Sequence, residues 1–129
     1  MTNHPNTSVI GLGSMGYGIA QSCLAAGHNT FGYDVNPDQT ARFAAEGGAE
    51  GTLDEVANTL DAVIVVVLNA AQTETVLFGP TGIVPKMRAG AVVIACATVP
   101  PDFARQMEAQ CTKYGVHYLD APILSLIHI

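Results

Sequence analysis

Apolar residues fall along this chain in two alternating rhythms. Runs of strand length, including Ser8–Gly11, AVIVVVL at Ala62–Leu68 and AVVIACA at Ala91–Ala97, are apolar on both faces, whereas the stretches between them repeat apolar positions every three or four residues. That alternation predicts a parallel sheet covered by helices on both sides. The pattern predicts a strand at Ser8–Gly11, a helix at Met15–Ala26 with Met15, Ile19, Cys23 and Leu24 on its apolar face, and a strand at Thr30–Asp34. Gly27 ends the first helix as a left-handed cap. Asn36, followed by Pro37 at the first helical position, caps a second helix that runs to about Glu46 and stops at Gly47 and Gly48. Ala49–Glu50 can form only a very short third strand, and Thr52 with Glu55 forms a capping box for a brief helix.

Beyond the fourth strand, Ala62–Leu68, the pattern predicts a helix at Ala70–Phe78 and a loop with one turn through GPTGIVPKMRAG. A fifth strand at Ala91–Ala97 follows, then a helix at Pro101–Tyr114 with Phe103, Ala104, Met107 and Cys111 on one face, ended by Gly115, and a sixth strand at Val116–Leu119.

Composition narrows the function classes. At 129 residues the chain is one domain long, and with 49% hydrophobic but only 12% charged residues it offers more apolar surface than one core of this size needs, so part of its surface is expected to be covered. The net charge of −6 comes without any cluster of Lys or Arg, which removes the electrostatic footprint of a nucleic-acid binder. The longest apolar run, Ala62–Leu68, is too short to span a bilayer, and Met1–Pro5 carries no basic signal-type start, so a soluble cytoplasmic protein with no membrane partner is expected. Cys23, Cys96 and Cys111 are widely spaced within apolar patterns and are expected to be buried thiols; the four histidines show no metal-ligand spacing.

One motif carries chemistry. Gly11, Gly13 and Gly16 form G-x-G-x-x-G between a predicted strand and a predicted helix, and Asp34 ends the second strand eighteen positions after Gly16. Gly11 permits the tight turn, Gly13 lets a pyrophosphate approach the backbone, and Gly16 lets the helix sit close to the strand. The helix N-terminus then presents free N–H groups and partial positive charge. These features predict a doubly wound Rossmann sheet of strand order 3-2-1-4-5-6, with Asp34 accepting from the adenosine ribose hydroxyls. A 2′-phosphate about 4 Å from that carboxylate would meet repulsion on the order of 4 kcal/mol at an effective dielectric near 20, so NAD is expected rather than NADP. Asp34 can alternatively serve only as a helix-start residue, and Asn36 reads more readily as a cap than as a ligand. No nucleophile elbow surrounds Ser14, and no GK[ST] follows the glycines, so neither an α/β-hydrolase nor a P-loop is indicated.

The run VIGLGSMGYGIAQSCLAAGH with YDVNP after it resembles the N-terminal domain of the β-hydroxyacid dehydrogenases, a family that includes 3-hydroxyisobutyrate and L-threonate dehydrogenases and is related to 6-phosphogluconate dehydrogenase. The resemblance continues through VVVLNAAQTETVLFG, ATVPP and GVHYLDAP, spanning about Thr7 to Ile123, and the wording DVNP and LNAAQTE is most similar to the L-threonate dehydrogenases. It implies cofactor contacts from Gly11, Leu12, Gly13, Ser14, Met15, Gly16, Asp34, Val35 and Asn36. Leu68 and Asn69 stand where the family has Leu-Pro on the nicotinamide side, Asn69 being a departure. Thr98 matches a nicotinamide-side threonine and can equally cap the helix that begins at Pro101. Asp120, Ala121 and Pro122 begin the family's substrate motif.

The implied activity is hydride transfer between NAD and a small β-hydroxy acid, with the catalytic lysine, an all-helical C-terminal domain and the homo-oligomer interface lying beyond this stretch. An imine or semialdehyde reductase and a non-catalytic dinucleotide-binding module are the alternatives. At Leu124 the motif breaks: Leu124 and Ser125 replace the family's Ser-Gly, and LSLIHI matches the translation of a sequencing-library adapter. A Rossmann unit over residues 1–123, followed by an adapter-derived tail over 124–129, is therefore expected, with the unit alone inactive.

Overall fold

The computed structural model describes residues 4–123. Its elements are β1 (Asn6–Ile10), α1 (Ser14–Ala25), β2 (Asn29–Tyr33), α2 (Pro37–Ala45), α3 (Leu53–Val56), β3 (Ala62–Val65), α4 (Ala70–Phe78), β4 (Val92–Ala95), α5 (Pro101–Thr112) and β5 (His117–Asp120), with short 3-10 turns at Ala57–Thr59 and Val84–Lys86. The five strands form one parallel sheet in the order β2-β1-β3-β4-β5. The chain leaves β1 toward one edge, then returns to the other side of β1 and moves outward, so the order reverses at β1. In such sheets the crevice outside the strand ends at the reversal is where ligands bind.

Side-chain alternation builds a core on each face of the sheet. Val9 packs with Leu12, Tyr17, Ala20 and Phe43, so α1 and α2 cover one face. Ile10, Val63 and Val65 pack with Leu77, Ile83, Met107 and Cys111, so α4, α5 and the turn between α4 and β4 cover the other. Strands buried on both sides explain the unbroken apolar runs in the sequence. Gly27, at φ +93, takes the left-handed conformation expected of a helix-ending glycine.

Three expectations are corrected. The predicted third strand at Ala49–Glu50 does not form; one bond, Ala49 N–H to the Thr30 carbonyl at 2.8 Å, runs beside β2, and the left-handed backbone of Gly47 and Gly51 turns the chain away on either side. The six-strand order 3-2-1-4-5-6 is thereby reduced to five strands with the remaining order intact. The strands predicted to reach Leu68 and Ala97 end at Val65 and Ala95. Finally, α1 turns Gly16, Tyr17 and Ala20 inward and leaves Met15 54% exposed, because a Cβ on Gly16 would stand 1.8 Å from the Gly11 carbonyl oxygen, so the face of α1 set against that turn is the one that carries Gly16. The proposed tail, Leu124–Ile129, lies outside the described residues. Among the described residues no helix is long and apolar enough to cross a membrane.

Candidate functional site

The three motif glycines are needed for different reasons. Gly11 has φ +102, and a Cβ there would lie 2.0 Å from the Val66 carbonyl oxygen; Gly16 is equally barred from carrying one. Both are demanded by the protein itself. Gly13 is not: its φ of −69° and ψ of −173° suit any residue, and a Cβ would meet nothing within 4 Å. Gly18 also faces open space, but it lies inside α1, whereas Gly13 is the N-cap of α1 and lines two adjoining clefts.

The first turn of α1 has no side-chain cap and no acidic residue, which leaves the N–H groups around Ser14, Met15 and Gly16 for an outside acceptor. Three other helices, α2, α3 and α4, close themselves with side-chain caps. Asn36 Oδ1 accepts from Asp38 N–H at 3.0 Å, Asn69 Oδ1 from Gln72 N–H at 2.9 Å, and Thr52 with Glu55 completes the predicted capping box.

Leu12, between the first two glycines, is fixed from three directions. Its side chain is fully buried, its N–H donates to Asp34 Oδ1 at 2.8 Å, and its carbonyl accepts from Gln39 Nε2 at 2.7 Å. The second carboxylate oxygen of Asp34 accepts from Asn36 N–H at 2.9 Å, and Asp34 N–H donates to Thr40 Oγ1 at 3.1 Å. Asp34 thus faces the cleft while holding the glycine turn against the start of α2. Gln39 escaped sequence reasoning, since a contact spanning 27 positions leaves no periodic signal.

Two clefts meet over Gly13 at the strand ends. The larger, about 660 Å³, is lined by Gly11, Tyr33, Asp34, Val35, Leu68 and one side of α4. The smaller, about 390 Å³, is lined by Ser14, Met15, Leu68, Cys96, Thr98 and Ile123. Val35 and Leu68 are 103% and 85% exposed. Together with Met15 they place unburied apolar surface around the crevice, the kind of wall that flat rings pack against.

Leu68 is presented by a local clamp: its N–H donates to Gln72 Oε1 at 2.9 Å while Gln72 N–H bonds Asn69. The asparagine that departs from the family's proline is thus the cap of α4. Thr98 does not cap α5, whose N-cap is Pro100; it stands exposed at the smaller cleft. Ala121 N–H donates to the Ala95 carbonyl at 2.8 Å and Ile123 N–H to the Cys96 carbonyl at 3.2 Å, so the stretch from Asp120 through Pro122 continues along β4 and delivers Ile123 to that cleft.

Two groups at the crevice, the Cys96 thiol and the Tyr33 phenol, are held neutral. Burial pushes the Cys96 thiol up, and burial with the nearby Glu55 charge pushes the Tyr33 phenol up to about 12, keeping it the donor of its 2.6 Å bond to the Gly51 carbonyl. Among the described residues no group of three His, Cys, Asp or Glu is placed to hold a metal ion. The arrangement suits an extended ligand with an anionic centre over Gly13 and a less polar group in each cleft. A diphosphate-bridged dinucleotide has that form, and the open space at the missing Gly13 Cβ lets its phosphates reach the backbone.

Comparison with known proteins agrees. Residues 6–125 match the model of the NAD binding domain of 6-phosphogluconate dehydrogenase. The chain is 45% identical over 119 residues to an L-threonate dehydrogenase from Cupriavidus necator, covering 92% of this chain and 40% of that protein. It is 28% identical to the mitochondrial 3-hydroxyisobutyrate dehydrogenase of Mus musculus, covering 95% of this chain and 37% of that one. The crystal structure of a 3-hydroxyisobutyrate dehydrogenase from Salmonella typhimurium superimposes with a TM-score of 0.87 at 39% identity, covering 94% of this chain and 42% of that one. The chain thus spans about 40% of the length of the curated relatives it matches.

Proposed function

This chain belongs to the family of NAD-binding domains of 6-phosphogluconate dehydrogenase, and on that premise we propose that it is the cofactor-binding half of an NAD-dependent dehydrogenase acting on a small β-hydroxy acid such as L-threonate or 3-hydroxyisobutyrate. The observation that carries the reading is the pairing of an uncapped α1, led by Gly13, with Asp34 at the end of the neighbouring strand. The nicotinamide ring, when bound, accepts or returns the hydride of the substrate's carbinol carbon. Everything else falls to the protein.

The N–H groups at the start of α1 hold the phosphates, and Asp34 takes the ribose hydroxyls with the acceptor capacity left by its two backbone bonds. Val35 covers the adenosine side, while Leu68, Met15 and Thr98 shape the nicotinamide side. The segment from Asp120 to Pro122 brings the substrate end of the site up to the smaller cleft. Residues 1–123 are the folding unit in this proposal and 124–129 a non-native tail. The group that moves the hydroxyl proton lies outside the chain, so the 129 residues alone are expected to bind cofactor without turnover.

Two features support NAD over NADP: the Asp34 carboxylate lies in the larger cleft, and among the described residues no Lys or Arg lines either cleft. Calorimetric titration of the full chain is expected to show NAD binding at least about tenfold tighter than NADP, a modest fraction of the on-contact repulsion of about 4 kcal/mol. Equal affinities would remove the role given to Asp34; binding of neither would remove the dinucleotide site.

A further inference from the structure

We infer that Gln39 is a positioning residue for the phosphate site, acting through Leu12 to keep the glycine turn in the form that receives phosphate. The inference rests on the dinucleotide reading and deepens it. Between Gly11 and Gly13 the backbone has little intrinsic preference, because glycine on either side of Leu12 leaves the orientation of its peptide groups weakly determined. Burial of the Leu12 side chain fixes where this residue sits but not how the peptide after it is rotated. That rotation sets where Gly13 N–H points, since the Leu12 carbonyl and the Gly13 N–H belong to one rigid plane.

Gln39 Nε2 grips that carbonyl at 2.7 Å. The preceding peptide is gripped by Asp34, which accepts from Leu12 N–H at 2.8 Å. Both peptides flanking Leu12 are therefore held by the β2–α2 region, one by the Asp34 carboxylate and the other by the neutral Gln39 amide, which adds no further charge to the cleft. Gln39 itself is anchored as the third residue of α2, its own N–H donating to the Asn36 carbonyl at 3.1 Å. The unit that reads the ribose and the unit that receives the phosphates are thus one hydrogen-bonded assembly.

The test compares ADP with adenosine on the full chain, using wild type and the Gln39→Met variant, which keeps the length and flexibility of the side chain and removes the amide that donates to the Leu12 carbonyl. If Gln39 positions the phosphate site, Gln39→Met should weaken ADP about tenfold, the loss of one well-made hydrogen bond, and change adenosine less than twofold. A general loosening of the fold would weaken both alike. Gln39→Glu, which sets a carboxylate against the Leu12 carbonyl, should weaken ADP at least as much. Thermal unfolding without ligand confirms that each variant is folded, and amide exchange at Gly13 should quicken in both. ADP binding unchanged in both variants, or parallel loss of ADP and adenosine, overturns the inference alone. A wild-type chain that binds neither nucleotide overturns the dinucleotide reading beneath it.

Discussion

The helices α1 and α2 start side by side, at the carboxyl ends of two neighbouring strands, and their first turns are finished in opposite ways. At α2, Asn36 caps the N-terminus, Pro37 removes an N–H that would lack a partner, and Asp38 adds an acid to the first turn. At α1 there is no cap, no proline and no acid, only Gly13. A helix start capped by glycine instead of Asn or Asp forgoes roughly a few tenths of a kcal/mol. The protein thus gives up stability at one N-terminus that it secures at the next, and the one it leaves open is the one over which the two clefts meet. On the proposed reading, the difference separates a turn built for the fold from one built for a ligand.

The sharpest challenge to that distinction lies in the glycines. Gly16→Ala would force its Cβ against the Gly11 carbonyl oxygen, an atom of the backbone that cannot yield. A loss of about 3 kcal/mol or more is expected, lowering the melting temperature of the free chain by about 10 °C. Gly13→Asp should act in the opposite sense. Its Cβ enters open space in a conformation any residue adopts, and its carboxylate supplies the missing cap and complements the helix dipole, raising free-chain stability by about 0.5 kcal/mol. The same carboxylate stands where phosphate is expected, so NAD affinity should fall about a hundredfold, within the repulsion of about 4 kcal/mol between charges 4 Å apart at an effective dielectric of 20. Unfolding scans paired with titration measure both. A Gly13→Asp chain that lost stability, or kept its affinity, would erase the distinction between the two N-termini.

The same contrast explains what was legible in the sequence. The helix predicted at Ala70–Phe78 matches α4 residue for residue, because Asn69 closes one end and Gly79 the other. The Thr52–Glu55 capping box and the Asn36–Pro37 start were also legible, being local hydrogen-bond chemistry written into neighbouring residues. The misplacements gather at the crevice. Val66, Val67 and Leu68 were read as strand because they are apolar, yet they lie past the end of β3 and line the clefts. Met15 was assigned to the core on its spacing and is exposed beside Gly13. An apolar residue that walls a binding cleft and one that fills a core have the same letter and can have the same period, so pattern cannot tell them apart. The Gln39–Leu12 bond was invisible for another reason, since it depends on the register of two elements far apart in sequence.

The gentlest test opens the closed helix. The Asn36 side chain is occupied by Asp38 N–H, and what Asp34 receives from this residue is its backbone N–H, which any substitution except proline retains. Asn36→Ala should therefore cost the free chain about 1 kcal/mol, or about 4 °C in a domain of this size, the ordinary worth of an N-cap. Because the N–H groups proposed to face the ligand belong to α1, NAD affinity should move by no more than about twofold. A larger loss of affinity would show that Asn36 also reaches the cofactor, as the family resemblance alone suggested. The two N-termini would then share the ligand, and α2 would have to be counted as part of the site rather than as its closed neighbour.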